Sequence, residues 1–443
     1  MGDAATGEVT ELLQQLIRNR CVNDGTPESG DEARSAGTLH AYLEGSGLDV
    51  ERFESRPGRE SLVTRIEGTD PAAPSLLLLG HTDVVPVNED RWTRDPFGGE
   101  LVDGVVWGRG AVDMLNLTAS MAVATRRLAG RGFRPRGTLI YAAVADEEAN
   151  GTFGAAHLAD HERDHVAADY MITETGGFPI SLGGDVALPV LVAEKGTMSS
   201  RLRVTGTPGH GSMPFGADNA LVKAGEVVRR VGAYEPATRI HDQWRAFVEG
   251  IDIPAELAEP LLSEEGFVEM CAAIGPIGRM AHACTRTTIT PTLVHGGSKL
   301  NVIPDTVEIG LDIRTLPGDG PDEVRAMLDD ALGDLSDDVE FVPGHVIDAT
   351  ASASGTPLWD AIARVTEQFY AGAPLVPVMM PGATDARHLR PLGTVSYGFG
   401  LFSEAISLEA IATMAHGDDE RVDVESLGMV TEMWEQLAVD FLG

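Results

Sequence analysis

Apolar residues recur along this chain with two periods, and the switches between them outline its architecture. Within 8–20, Val9, Leu12, Leu13, Leu16 and Ile17 keep a 3.6-residue period and predict a helix. Residues 31–48 predict a second helix, closed by Gly45 and Gly47. Short strands are expected at 62–66 and 75–79. An Ala- and Met-rich helix is expected at 111–128, an apolar strand at 138–144 and a helix at about 152–164. Residues 171–173 read as a strand end. Apolar strands alternating with helices predict an α/β layer structure with a largely parallel sheet.

The pattern changes near Gly196. Residues 198–205 alternate as a half-exposed strand, followed by a helix at 219–230 and an irregular stretch at 232–283. Strands are expected at 287–294, 306–314 and 339–343, with a helix at 321–332. A β-α-β-β-α-β order suits a small antiparallel α+β layer. From about Thr350 the first style returns, with helices at 357–370 and 424–441. The chain therefore reads as one discontinuous domain, 1–196 and 347–443, with a second inserted at 197–346.

Composition narrows the function classes. The 443 residues can bury more than one core, and the formal net charge is −35. Such acidity argues against nucleic acid or an anionic membrane as partner. No run approaches the roughly 18 apolar residues that a membrane span needs. Cys21, Cys271 and Cys284 are scattered, and form neither a zinc cluster nor a disulfide framework. The first residues lack a basic and apolar leader pattern, and a cytoplasmic, reducing location is expected. Gly2 and Thr6 fit a loose myristoylation pattern that has no basic patch behind it.

Candidate chemistry gathers at strand ends. His81 and Asp83 stand two apart after an apolar run, so both can project from one face. The carboxylate can then orient the imidazole or enter the same site. Glu147 and Glu148 end another apolar run and converge only if the chain turns, which Asn150 and Gly151 favour. One can ligate a metal while the other acts as base. Asp113 follows a glycine-rich turn and can bridge two cations, although a helix N-cap is its common alternative. With Glu174 and His416 the set holds two imidazoles and three carboxylates. If Asp113 bridges, each of two metals has one His, one terminal carboxylate and the shared Asp. Such donors suit Zn²⁺, with Co²⁺ or Mn²⁺ as alternatives. Two metals about 3.5 Å apart can make hydroxide at neutral pH and polarise a scissile carbonyl. A free Glu147 would pass the proton to the leaving nitrogen. A rival pattern, HExxH at His161, Glu162 and His165, would put both His on one helical face. Its surroundings are polar all round, which fits a surface helix.

These motifs, with Trp107 to Met114, Gly209-His210-Gly211-Ser212, Asn301 to Pro304 and Gly382 to Arg387, resemble those of the M20 metallopeptidases, over nearly the whole chain. The resemblance implies a zinc-peptidase-like α/β catalytic domain interrupted by a ferredoxin-like lid, which often makes a homodimer. It implies His81, Asp113, Glu148, Glu174 and His416 as metal ligands, Glu147 as catalytic base and Asp83 as the group orienting His81. The bond between Asp113 and Met114 matches a family cis peptide. His210 matches a histidine that stabilises the oxyanion across the dimer. Asn301 and Arg314 match residues that hold a substrate carboxylate. Thr384, Asp385 and Arg387 match a pocket wall, with an N-cap role open for the first two.

The expected activity is hydrolysis of an amide bond in a small peptide or N-acyl amino acid. Glu174, rather than Asp, favours a carboxypeptidase or deacylase over a dipeptidase. The long segment 233–283 resembles that of carboxypeptidase S-like members. Leu115 departs from a lysine that many members carry, and changes the charge behind Asp113. A dipeptidase, a non-catalytic binding protein on the same fold and an acidic scaffold are the alternatives.

Overall fold

The computed structural model describes residues 2–181 and 185–443. Its large sheet is built from β1 (Val50–Arg56), β2 (Arg59–Ile66), β3 (Leu76–His81), β4 (Leu139–Val144), β5 (Tyr170–Thr173), β6 (Leu188–Glu194), β7 (Thr350–Ala351), β8 (Leu375–Met380) and β9 (Val395–Gly398). The order is β1-β2-β4-β3-β5-β9-β6-β7, with β8 also on β6. The centre, β4-β3-β5-β9, is parallel throughout.

Strand β3 shows why the sheet lies in the middle. Leu76 and Leu78 enter one buried cluster, shared with the helices Gly2–Asn19, Leu115–Gly130 and Val424–Leu442. Leu77 and Leu79 enter another, under the helix Ala155–His161. Successive side chains take opposite faces, so a strand covered on both faces must be apolar throughout. At Gly80 the Leu115–Gly130 helix comes so close that a Cβ would lie 2.4 Å from Thr118 Oγ1. That hydroxyl donates to the His81 carbonyl at 2.7 Å, fixing the strand end.

The small sheet is antiparallel and has its own core. Its four main strands, in spatial order, are Thr288–Gly296, Thr306–Thr315, Gly196–Thr205 and Val339–Val342, and the short Val346–Ile347 also pairs with Gly196–Thr205. In chain order this is second, third, first, fourth, the β-α-β-β-α-β arrangement. Leu202, Val204, Ile309 and Ile313 pack there against Val227 and Leu328 of the helices Ala220–Ala233 and Pro321–Leu332. The chain passes from β6 to this sheet through Lys195 alone. That buried ammonium donates to the Ala283 and Arg286 carbonyls and to Thr288 Oγ1. Burial lowers its pKa to about 7.

Several local expectations are corrected. The stretch 232–283 is not irregular: it holds the helices Asp242–Gly250, Ala255–Leu261, Phe267–Ala273 and Pro276–Cys284. Gly and Pro at 250, 254, 266, 275 and 276 keep each too short to show a period. Trp244, Phe247 and Phe267 bury themselves in the core of the large sheet. The helix expected at 152–164 breaks at Glu162, which leaves helical geometry. Strands β1, β6, β7, β8 and β9 lie outside the expected set. β6 is buried at every position and includes Pro189, so it lacks any alternation to read. The three cysteines are free and buried.

Leu78 lies within the core directly behind His81. Leu78→Ala should lower the stability of the fold by about 2–5 kcal/mol. The midpoint of urea unfolding measures this.

Candidate metal and catalytic centre

Parallel neighbours align their carboxyl ends, where open α/β sheets bind ligands. Here β3 ends in His81, β4 runs on to Glu147 and Glu148, and β5 runs on to Glu174. Beyond β4 the backbone turns at once. Asp146 takes a left-handed conformation (φ 69°) and residues 147–149 form a single 3₁₀ turn. The turn expected from Asn150 and Gly151 is therefore present. Two other residues arrive from outside the sheet. The strand Val105–Trp107 pairs with Glu100–Val102 on one side and with Arg421–Asp423 on the other, in a separate three-stranded sheet. This ribbon joins the loop before Asp113 to the loop after His416, some 300 residues apart.

The five side chains meet in two sets that share Asp113. His81 Nε2 lies 3.3 Å from Asp113 Oδ1 and 3.6 Å from Glu174 Oε2. His416 Nε2 lies 3.3 Å from Asp113 Oδ2 and 3.3 Å from Glu148 Oε2. Each set offers one imidazole and two carboxylate oxygens within 4.8 Å of one another and could hold a metal ion. The donors fit two divalent cations: the Asp113 oxygens face different imidazoles, and buried Glu148 Oε1 has no hydrogen-bond partner. The Asp113–Met114 peptide is cis, as the resemblance implied.

Protonation shows how unbalanced this cluster is on its own. Burial opposes charge on His81, yet Asp113, Asp83 and Glu174 together raise it well above the ordinary imidazole range. His416 is raised to about 10, chiefly by Asp113 and then by Glu148. Burial first, and the charge on Asp113 second, lift Glu174 to about 8 and also raise Glu148. Burial and then Glu174 raise Glu147 well above the carboxylate range. Burial would raise Asp113 too, but His416 and His81 hold it low. The imidazoles keep protons because they face excess carboxylate. A cation would take over that role.

Around the cluster runs a network that the sequence did not reveal. The Asp83 carbonyl lies 3.0 Å from His81 Nδ1, closer than its carboxylate at 3.5 Å. That carboxylate accepts instead from the amides of Glu147 (3.2 Å) and Glu148 (3.1 Å) and from Asn23 (2.8 Å). Arg59 pairs with Glu32 and Asp146 beneath them, at 2.6 and 3.4 Å. Glu420 and Arg109 form a second buried pair, at 2.7 Å. Nothing in the local pattern marks these residues, since Asn23, Glu32 and Arg59 meet only through the fold. Arg109 and Glu420 do stand inside the motifs around Asp113 and His416.

The remaining candidates divide. Thr384 is buried and donates from its amide (3.0 Å) and hydroxyl (2.6 Å) to Glu194. Asp385 is buried, neither of its carboxylate oxygens has a partner, and burial raises it to about 7. Its charge reaches Glu147, which places it beside the cluster. Arg387 donates to His388 at 3.2 Å. His210 and Asn301 belong to an exposed ribbon in which Gly209 and His210 pair with Val302 and Ile303. Arg314 is held by Asp312 (2.7 Å) and Thr197 (3.0 Å). Among the described residues, no hydrogen bond takes His210, Asn301 or Arg314 to the cluster. The HExxH segment is divided by the break at Glu162, so His161 and His165 do not share one regular helix. His161 stacks near His157 and His165 meets Glu51 at 3.1 Å.

Comparison with known proteins decides the family. The model of "Peptidase family M20/M25/M40" matches residues 77–440. The chain belongs to the M20 peptidase family. Human aminoacylase-1 is 28% identical over 416 residues, covering 93% of this chain and 90% of that protein. A probable carboxypeptidase S-like 2 of Dictyostelium discoideum is 24% identical over 387 residues, covering 85% and 73%. The M20 family metallo-carboxypeptidase Sso-CP2 of Sulfolobus solfataricus shares the fold, with a TM-score of 0.72 at 16% identity, over 98% of this chain and 99% of that one. This M20 chain is a hydrolase of amide bonds, of the peptidase and aminoacylase kind. The YXEP protein of Bacillus subtilis, described as a dinuclear metal binding peptidase of this family, shares the fold with a TM-score of 0.60 at 14% identity, over 99% of each chain. Among the described residues, no helix is long and apolar enough to cross a membrane.

His161 and His165 lie apart from the centre. Replacing both with alanine should leave bound metal and amide hydrolysis within about twofold of the parent, because exposed positions far from a site rarely couple to it. Elemental analysis and a rate assay on one preparation check this.

Proposed function

We propose that this chain releases an amino acid with a free α-carboxylate, as a carboxypeptidase or N-acyl-amino-acid deacylase working with two divalent cations. The observation that carries this reading is the shared Asp113, whose two oxygens face one imidazole each. His81, Asp113 and Glu174 would hold one cation, and Asp113, Glu148 and His416 the other. Zn²⁺ suits these donors, with Co²⁺ or Mn²⁺ as alternatives. Bound cations would activate a water and polarise the scissile carbonyl.

Glu147 is the base of this mechanism. Burial and Glu174 raise its pKa in the metal-free protein, and bound cations would favour its charged form, leaving it free to accept a proton. It would accept one from the attacking water and give it to the nitrogen as the C–N bond breaks. Water thus supplies OH to the acyl carbon and H to the amine. Asp83 keeps Glu147 in place by accepting from its amide. Asp385 and Thr384 would form the wall behind the base. Asn301 and Arg314 would hold the substrate carboxylate, with Arg314 exchanging Asp312 for the bidentate ligand.

His210 would act across a homodimer, on the oxyanion of the partner's site. The edge strand Thr288–Gly296 supports such a dimer. It pairs on one side only, and Leu293, Val294 and the nearby Leu300 are exposed. In this reading residues 197–346 are the lid and 1–196 with 347–443 the catalytic part. The location would be cytoplasmic.

Chelation should abolish activity, and Zn²⁺ or Co²⁺ should restore it. Glu147→Gln should keep both metals, since it removes only the base, while kcat falls by about 10²–10⁴-fold. Full activity in that variant would remove Glu147 from the mechanism. A screen of N-acyl amino acids against unblocked dipeptides separates the deacylase from a dipeptidase.

A further inference from the structure

The two cation sets are supported in different ways. His81 and Glu174 continue strands of the central sheet, and the His81 carbonyl is tied to Thr118. His416 is an exposed loop residue with a left-handed backbone (φ 57°). Asp113 also lies on a loop, past the last residue of its strand. Something must keep these two loops at a fixed distance.

Glu420 and Arg109 are placed to do so. Glu420 has no solvent exposure and Arg109 has 2%. Glu420 Oε1 accepts from the amides of Val112 (2.7 Å) and Asp113 (3.1 Å). Its Oε2 accepts from the Gly110 amide (2.9 Å) and from Arg109 Nη1 (2.7 Å). Arg109 Nη2 then donates back to the Gly417 carbonyl at 2.7 Å, next to His416. The Trp92 ring covers the guanidinium, 5.4 Å from its centroid. Four donors converge on one carboxylate, and three of them are amides of the loop that ends at Asp113. A buried ion pair is a poor source of stability against an apolar replacement. Its geometric yield is larger: one guanidinium and one carboxylate span both loops.

We propose that the Glu420–Arg109 pair is a clasp that positions Asp113 and His416 and so governs occupation of the Asp113–Glu148–His416 set. Glu420 and Arg109 are positioning residues, since neither reaches the cations or substrate. The inference rests on the two-cation reading above. Its two ends act differently. Arg109 holds the His416 loop directly and reaches Asp113 only through Glu420, which keeps its three amide donors, so its loss weighs mainly on that set. Glu420 holds the Asp113 backbone, and Asp113 serves both sets.

Titration of the metal-free protein with Co²⁺, followed by visible absorption and calorimetry, tests this. The parent should bind two equivalents, and His416→Ala identifies which belongs to the exposed set. Arg109→Met should weaken that equivalent by about 10–100-fold, the range for outer partners of metal ligands, and leave the other within about threefold. Arg109→Lys should behave alike, because the single nitrogen of a shorter side chain cannot occupy both Nη positions that meet Glu420 and the Gly417 carbonyl. Glu420→Gln sets an NH₂ against backbone N–H groups and should weaken both equivalents. If Arg109→Met fails to fold, the lysine variant carries the test. A merely structural pair would lower the unfolding temperature of the metal-free variants and leave both affinities at parent values, which overturns the clasp. A parent that binds fewer than two equivalents overturns the two-cation reading and the clasp with it.

Discussion

The structure is organised around one electrostatic difficulty: too many carboxylates at the buried ends of three parallel strands. Glu32, Asp83, Asp146, Glu147, Glu148, Glu174 and Asp385 crowd there, with Asp113 and Glu420 alongside. Each carboxylate loses water on burial and repels its neighbours. Protein groups answer part of this. Arg59 pairs with Glu32 and Asp146, Asp83 accepts three N–H groups, and Glu420 accepts four. Among the described residues, Glu148 Oε1 beside one imidazole and both oxygens of Asp385 are left without a partner. That remainder is what divalent cations would balance, so their binding and the integrity of the site are linked.

This difficulty explains which parts could be read in advance. His81, Glu147, Glu148 and Glu174 each follow a short apolar run, and a parallel sheet brings such ends together. The inference from strand to site therefore needed only topology. The helices at 8–20 and 424–441 were legible because one face is apolar, and both pack on the central sheet as that face requires. β6 was not legible because Pro189 interrupts its apolar run, a residue that argues against a central strand. The helices between 242 and 284 were lost for another reason. Each is too short for its period to emerge, and their aromatic anchors face a core whose other residues lie far away in sequence.

The meeting of Asp113 with His416 was legible only as a resemblance. Its physical cause is a three-stranded sheet whose members are three residues long where they pair. Strands of that length leave no pattern. The same holds for Asn23, Arg59 and Glu32, which converge from separate elements on Asp83 and Asp146. Local sequence shows the residues that would do chemistry more readily than the buried charges that hold them. Chemistry concentrates at strand ends, and support comes from anywhere.

The two halves of the centre differ in rigidity, and the difference follows from their origins. The His81 half is continuous with the sheet, so any displacement would disturb the packed leucines of β3. The His416 half depends on loops whose registry comes from a few buried polar contacts. Close-packed apolar cores resist small shifts, whereas a polar contact is lost once its geometry fails. Movement at this centre is therefore expected first on the side of His416, with Asp113 as the shared pivot. The fold thus separates a fixed half of the site from the parts that can move.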